Sequence, residues 1–292
     1  MVVVKLMGGL GNQLFQYAMG RSLATEWDTQ LVLDVSFLLD RTPRQNFVFR
    51  NFDLDLFQLE PYSFFDAHFQ SKFHQKSIFK RSSIIIKERG FSFFPYLNDI
   101  KKRDVYLDGY WQSFKYFSTI SAQLRKEFQF IQPLNKQQLE LSNKIKATNS
   151  VCINFRRTDF VTIPSAIQTH GVPSLSYYYA AVSRLREMLG EKLELFVFSD
   201  DIEWCKSHFK IDELIHFITH DEFKGDRFST YLQLMTHCKH FIIPNSTFGW
   251  WAAWLSDYSK KIVITPDVWF TDSLLQSQTQ DLRPENWIKI KY

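Results

Sequence analysis

The chain has 292 residues, 45% of them hydrophobic and 23% charged, and carries a net charge of +4 at neutral pH. That length admits one large or two medium domains, and the composition excludes a disordered chain. No run nears the roughly 18 to 20 unbroken apolar residues of a membrane span, and so small a positive excess does not by itself argue for nucleic acid.

The first strand, read from Val2, leaves no room for a signal peptide. Cys152, Cys205 and Cys238 stand far apart in apolar surroundings without zinc spacing, which predicts reduced thiols in a cytoplasmic protein. Next comes GGLGNQ, a glycine-rich turn opening a helix, where backbone N–H groups and the helix dipole make a seat for phosphate. The strand LVLDV, ending near Asp34, completes a βαβ unit. An acidic residue some 20 positions past the glycines would suit a dinucleotide ribose. The fingerprint is nevertheless incomplete, because Leu14 stands where the third glycine belongs.

Residues 47 to 117 are rich in phenylalanine without clear period and read as helices and loops over a sheet face. Within them, Lys72 to Gly90 concentrates basic residues that suit a solvated surface or a weak attraction to anionic lipid. Asp104 to Phe117 reads as a strand, a turn at Gly109 and a helix whose aromatic rings either pack in the core or stack on sugar. A polar amphipathic helix from Leu134 to Ala147 ends in a small-polar stretch, setting a boundary between domains 1–148 and 149–292.

The second half restarts with the buried strand SVCINF, which runs straight into Arg156 and Arg157. Two guanidinium groups at a strand's carboxyl end either meet an anionic ligand, as open α/β sheets arrange, or one of them is saturated by Asp159. A helix and the strand KLELFVFSDD follow; Asp200 and Asp201 cap the next helix or bind a ligand, and adjacent carboxylates do not make the Asp-x-Asp cation site. After a strand at LIHFIT and a helix at STYLQLMTHCKH comes FIIP, then NSTFGWWAAWLS. Asn245, Ser246 and Thr247 there begin a helix whose positive end favours a diphosphate.

GGLGNQLFQYA, INFRRTD, FVFSDD and LMTHCKHFIIPNSTFGWWAAWL together resemble the α-1,2-fucosyltransferases of glycosyltransferase family 11, in order and spacing over almost the whole chain. The resemblance implies a GT-B-like α/β fold of two Rossmann-like domains with a cleft between them, the first on the acceptor side and the second binding a GDP-sugar. It also implies a GDP-fucose donor, a β-galactoside acceptor, inversion at the anomeric carbon, and no metal or other cofactor. The donor is expected to meet Gly9, Gly11, Asn12, Gln13, Asn154, Arg156, Arg157, Asp200, Asp201, Ser246, Thr247 and Phe248. Arg156, Asn12 and Asp159 are the catalytic candidates, with Asp159 as the base. Family members commonly carry histidine where this chain has Asn154, whose amide can still donate and accept hydrogen bonds, and an acid where it has Tyr231, which implies a rearranged donor recognition there. A lipid-linked glycan acceptor would bring the protein to the inner membrane face. The alternatives are a fucosyltransferase of another linkage, an NAD-dependent oxidoreductase and a non-catalytic glycan-binding protein.

Overall fold

The computed structural model describes residues 1–45, 47–66, 83–95, 100 and 104–291, apart from the side chains of Asp159 and Ser165. It divides into two compact units, Met1–Gln129 with Ser277–Pro284, and Phe130–Gln276 with Glu285–Tyr292. Among the described residues no helix is long and apolar enough to cross a membrane. The first part of the basic stretch, 72–82, lies outside the described residues.

The first unit is built on a parallel sheet of β1 (Val2–Lys5), β2 (Leu31–Asp34), β3 (Ser63–Phe64), β4 (Ile84–Lys87) and β5 (Val105–Asp108), in the order β3-β2-β1-β5-β4. β1 and β2 are apolar runs because both faces of a central parallel strand are covered. Helix α1 (Leu10–Glu26) lies so close to β1 that a Cβ at Gly20 would sit 2.2 Å from Val4 Cγ2. The close helix-to-strand approach that the dinucleotide fingerprint places three residues after its second glycine therefore occurs a further six residues along. Helix α2 (Ser121–Glu127) is tied to α1 through buried Glu127, which accepts bonds from the Tyr17 hydroxyl (2.7 Å) and Arg21 Nε (3.0 Å).

The second unit's sheet contains β6 (Ser150–Phe155), β7 (Glu194–Ser199), β8 (Leu214–Phe217), β9 (His240–Ile242), β10 (Val263–Pro266) and β11 (Ile288–Ile290). The spatial order is β11-β10-β9-β6-β7-β8, all parallel. Counted from β6 this is 3-2-1-4-5-6, the doubly wound order, with its reversal between β6 and β9. Among its helices are α3 (Lys136–Ala147), α4 (Leu175–Leu189), α5 (Ile202–His208), α6 (Ser229–Thr236) and α7 (Thr247–Leu255).

The bounds of these units differ from the expected 1–148 and 149–292. Helix α3, expected in the first domain, belongs to the second, because Ser142 Oγ bonds His237 Nδ1 at 2.8 Å just beyond α6. The stretch Ser277–Pro284, expected in the second domain, belongs to the first: Asp281 accepts from the Phe93 amide at 3.2 Å and pairs with Lys115 at 2.5 Å.

Candidate functional site

In the second unit three adjacent strands release their chains at one edge. Phe155 of β6 stands opposite Ser199 of β7, and Ile153 of β6 opposite Ile242 of β9, so Arg156–Thr158, Asp200–Asp201 and Asn245–Ser246 emerge side by side at the topological switch point. Asp200 is the hub. Its carboxylate accepts from Arg156 Nη1 at 2.7 Å, the Arg157 amide at 2.8 Å and Thr158 Oγ1 at 2.5 Å. Asp201 caps α5 through the Trp204 amide (3.3 Å) and reaches Arg157 Nε at 3.4 Å. The Arg157 guanidinium lies 3.5 Å from the centroid of the Trp204 ring, a cation–π seat that fixes it. Both arginines are thus engaged by carboxylates, although their partners are Asp200 and Asp201. They are not sealed off, since 25% of the Arg156 side chain and 18% of the Arg157 side chain stay exposed.

Beside them α7 begins. Ser246 is its N-cap in extended conformation without a side-chain capping bond, and no acid lies in the first turn, so the helix's positive end is not neutralised by its own sequence. Asn245 is buried and donates to the carbonyls of His170 (2.7 Å) and Trp269 (3.0 Å), pinning the turn. The tip of β6 and the first turn of α7 touch: a Cβ at Gly249 would lie 2.7 Å from Asn154 Oδ1. Asn154 itself is buried and donates to the Phe198 carbonyl at 3.2 Å. Its amide nitrogen joins β6 to β7, and its oxygen faces the first turn of α7.

The first unit repeats the arrangement at its own switch point, between β1 and β5. Gly8 holds φ +78°, a left-handed conformation that a side chain would strain, and a Cβ there would strike Asn12 Nδ2 at 2.3 Å. Gly9 is the extended N-cap of α1, and Gly11 is buried in the first turn. Half-buried Asn12 accepts from Gln112 Nε2 at 3.0 Å. Gln13 departs from expectation: fully buried, it donates to the Gly8 and Asn51 carbonyls (3.0 and 2.8 Å) and accepts from the Asp53 amide (2.9 Å), which leaves no amide for a ligand.

Several other expectations are resolved by geometry. Asp34, the dinucleotide acid, is buried and accepts from the Tyr106 hydroxyl (2.5 Å) and the Ser36 amide (2.8 Å), so no ribose finds it. Tyr231 lies in the core with its hydroxyl on the Ile218 carbonyl, and burial pushes its phenol pKa up. Asp159 is in the short helix Thr158–Thr162, its side chain outside the described residues. Thr247 and Phe248 are half-buried in the first turn of α7. Sequence reasoning missed Thr158, Trp204, Gln112 and Gly249. Only Gly249 carried a signal, as a lone glycine opening a tryptophan-rich helix.

Among curated relatives, an alpha-1,2-colitosyltransferase of Escherichia coli is 34% identical over 99% of both chains. The O-antigen biosynthesis glycosyltransferase WbnK of Escherichia coli is 29% identical over 98% of this chain and 99% of its own. Among solved structures, a variant of Arabidopsis thaliana FUT1 in complex with GDP superposes with a TM-score of 0.51 over 90% of this chain and 69% of that one, at 15% identity, and so shares the GT-B-like fold. The sequence model of glycosyl transferase family 11 matches residues 1–291. Parallel α/β sheets in both units, the arginine-tipped strand at the second unit's switch point and this end-to-end match make the chain a member of glycosyl transferase family 11.

Proposed function

We propose that the protein is an inverting α-1,2-fucosyltransferase that moves L-fucose from GDP-fucose to the 2-hydroxyl of a terminal β-galactoside. The observation that carries the reading is that Arg156 and the opening of α7 leave the neighbouring strands β6 and β9 at the second sheet's switch point. Breaking the bond between fucose and GDP develops negative charge on a diphosphate and positive charge on the sugar's C1. Fixed cations and aligned amides aimed at the departing oxygens therefore lower the barrier without reorganising. Arg156 and Arg157 supply the cations, and the first-turn amides of Thr247 and Phe248 the dipoles. Asp200 and Asp201 act on the ligand by aiming the arginines. Asp159 takes the acceptor proton, and Gly9, Gly11 and Asn12 serve the sugar side.

The alpha-1,2 linkage in the name of the colitosyltransferase supports the linkage. The O-antigen role in the name of WbnK supports a growing polysaccharide as acceptor, which would bring the protein against a membrane surface. The same 34% identity favours a second reading with a colitosyl donor, colitose being fucose without its 3-hydroxyl. Membership of family 11 and the occupied Asp34 set the oxidoreductase alternative aside.

The test offers GDP-fucose and GDP-colitose separately with a panel of β-galactosides, and NMR assigns the product linkage. An α-1,2-fucosyl galactoside is expected. Turnover of GDP-colitose alone would select the second reading, and another linkage or no product would overturn both.

A further inference from the structure

Glu88 follows β4 at the carboxyl edge of the first sheet, within a sequence, KERG, that reads as plain basic surface. Its carboxylate accepts from the amides of Tyr110 (2.6 Å) and Trp111 (3.0 Å) across the turn that follows β5. That turn needs an external hold, because Trp111 is fully buried at φ +56°, a left-handed conformation costly for a bulky residue. Gly109 is cut to fit the same contact: a Cβ there would lie 2.3 Å from Glu88 Cβ and 2.8 Å from its Oε2.

The clamped turn is the mould of the glycine-rich loop. Gly109's carbonyl accepts from Gln16 Nε2 (3.1 Å), and Gln16 Oε1 accepts from the Met7 amide (3.0 Å) just before the glycines. Gln112, one residue past strained Trp111, holds Asn12 Oδ1 at 3.0 Å. This fixes which way the Asn12 carboxamide is turned, oxygen to Gln112 and nitrogen over Gly8.

We infer that Glu88 is a positioning residue for sugar transfer: by clamping the Gly109–Gln112 turn it orients the Asn12 amide at the first unit's switch point. The inference rests on the proposed role of Asn12 at the sugar. It also gives the enzyme a pH response. Burial pushes the Glu88 carboxyl up to about 7, partly offset by the amides of Trp111 and Tyr110 that bond it. The titratable groups facing it from the turn and the segment beyond are the phenols of Tyr110 and Tyr116. Asp108 of β5 is paired with Lys5, and Lys87 and Arg89 flank Glu88 in sequence. Above about pH 7 the ionised carboxylate grips both amides; once protonated, it offers one acceptor fewer and the turn loosens.

The experiment compares the full chain with Glu88→Gln, following the Asn12 side-chain amide by 15N NMR, its signal assigned by loss in Asn12→Asp, together with kcat against pH. In the parent chain the Asn12 signal is expected to shift with a midpoint near pH 7 alongside an acid limb in kcat. In Glu88→Gln both are lost, and kcat at pH 8 falls by up to about 100-fold, the scale of a small misplacement. Glu88→Asp should restore part of it. A signal that titrates identically in both chains, or a Glu88→Gln kcat within about twofold of the parent with its acid limb intact, would overturn the inference. Should Glu88→Gln not fold, Gln112→Ala cuts the same link with Glu88 in place; it is expected to abolish the Asn12 shift, and a retained shift would overturn the inference. Failure of GDP-fucose turnover while Asn12 still titrates would instead overturn the proposed function and leave the positioning intact.

Discussion

Replacing Asp200 by asparagine keeps the shape of the hub and removes its charge. Three donors converge on this carboxylate, from Arg156, the Arg157 amide and Thr158. The amide retains one acceptor oxygen and turns an NH2 group toward a donor that needs an acceptor. With its oxygen where Arg156 and Thr158 converge, the amide keeps those two bonds, each weakened by roughly 0.5 to 1 kcal/mol on losing the charge, and loses the bond from the Arg157 amide, at roughly 1.5 to 3 kcal/mol. Because a quarter of the Arg156 side chain is exposed and its guanidinium can turn to water, the lower end applies, about 2.5 kcal/mol in all. At roughly 2 to 4 °C per kcal/mol for a unit of this size, the second unit's melting midpoint should fall by about 5 to 10 °C. Calorimetric scans of the two chains measure the shift, and steady-state kinetics measure what it does to transfer, where kcat/KM should fall because Arg156 is no longer aimed. A midpoint lowered by less than about 2 °C with kcat/KM unchanged would refute the reasoning, showing that Asp200 does not organise the edge.

Gly249→Ala places a methyl 2.7 Å from Asn154 Oδ1 and 3.2 Å from Ile243 Cβ, and should cost about 1 to 3 kcal/mol while raising donor KM; an unchanged KM would show that the approach of α7 to β6 is immaterial. Transfer should persist in excess EDTA, because Asp200 and Asp201 are already committed to arginines, amides and a helix cap; loss of activity restored by Mg2+ or Mn2+ would show that they yield to a cation. Burial, with Lys146 and Lys239 respectively, lowers the pKa of His237 and His240 to about 4. Their stabilisation is therefore present above the ordinary value of 6.5 and lost as pH falls through about 4. Glu88 acts oppositely, its contribution present below 4.5 and lost as pH rises through about 7, so the histidine effect is best read in Glu88→Gln. There the denaturation midpoint should drop between pH 6.5 and 4, and a flat midpoint would contradict the assignment.

What could be read from the sequence was local. Strand SVCINF ending on two arginines, the turn GGLGN opening a helix, and Asp201 three residues before an amide it caps are signals written within a few positions, and the structure forms each of these elements. What could not be read was which polar groups are consumed inside. Gln13 finds Asn51 and Asn154 finds Phe198, partners 38 and 44 residues away that only strand pairing brings near. The same distance hid Asp200's grip on Arg156. The expected domain limit differs from the bounds of the compact units because Thr148-Asn149-Ser150 marks where α3 stops, whereas the unit a helix joins follows from what it packs against. Glu88 was invisible for the complementary reason: its charged neighbours advertised solvent, while the turn it holds is 22 residues further on.

The proposed grip of the second unit's switch point on a nucleotide's diphosphate runs through Arg156 and the opening of α7. Calorimetric titration of GDP and GMP against the parent chain and Arg156→Ala tests it directly. GDP should bind the parent at least about tenfold more tightly than GMP, a difference of about 1.4 kcal/mol, and Arg156→Ala should erase that preference without unfolding. Equal binding of the two nucleotides by the parent, or an undiminished preference in Arg156→Ala, would contradict the account.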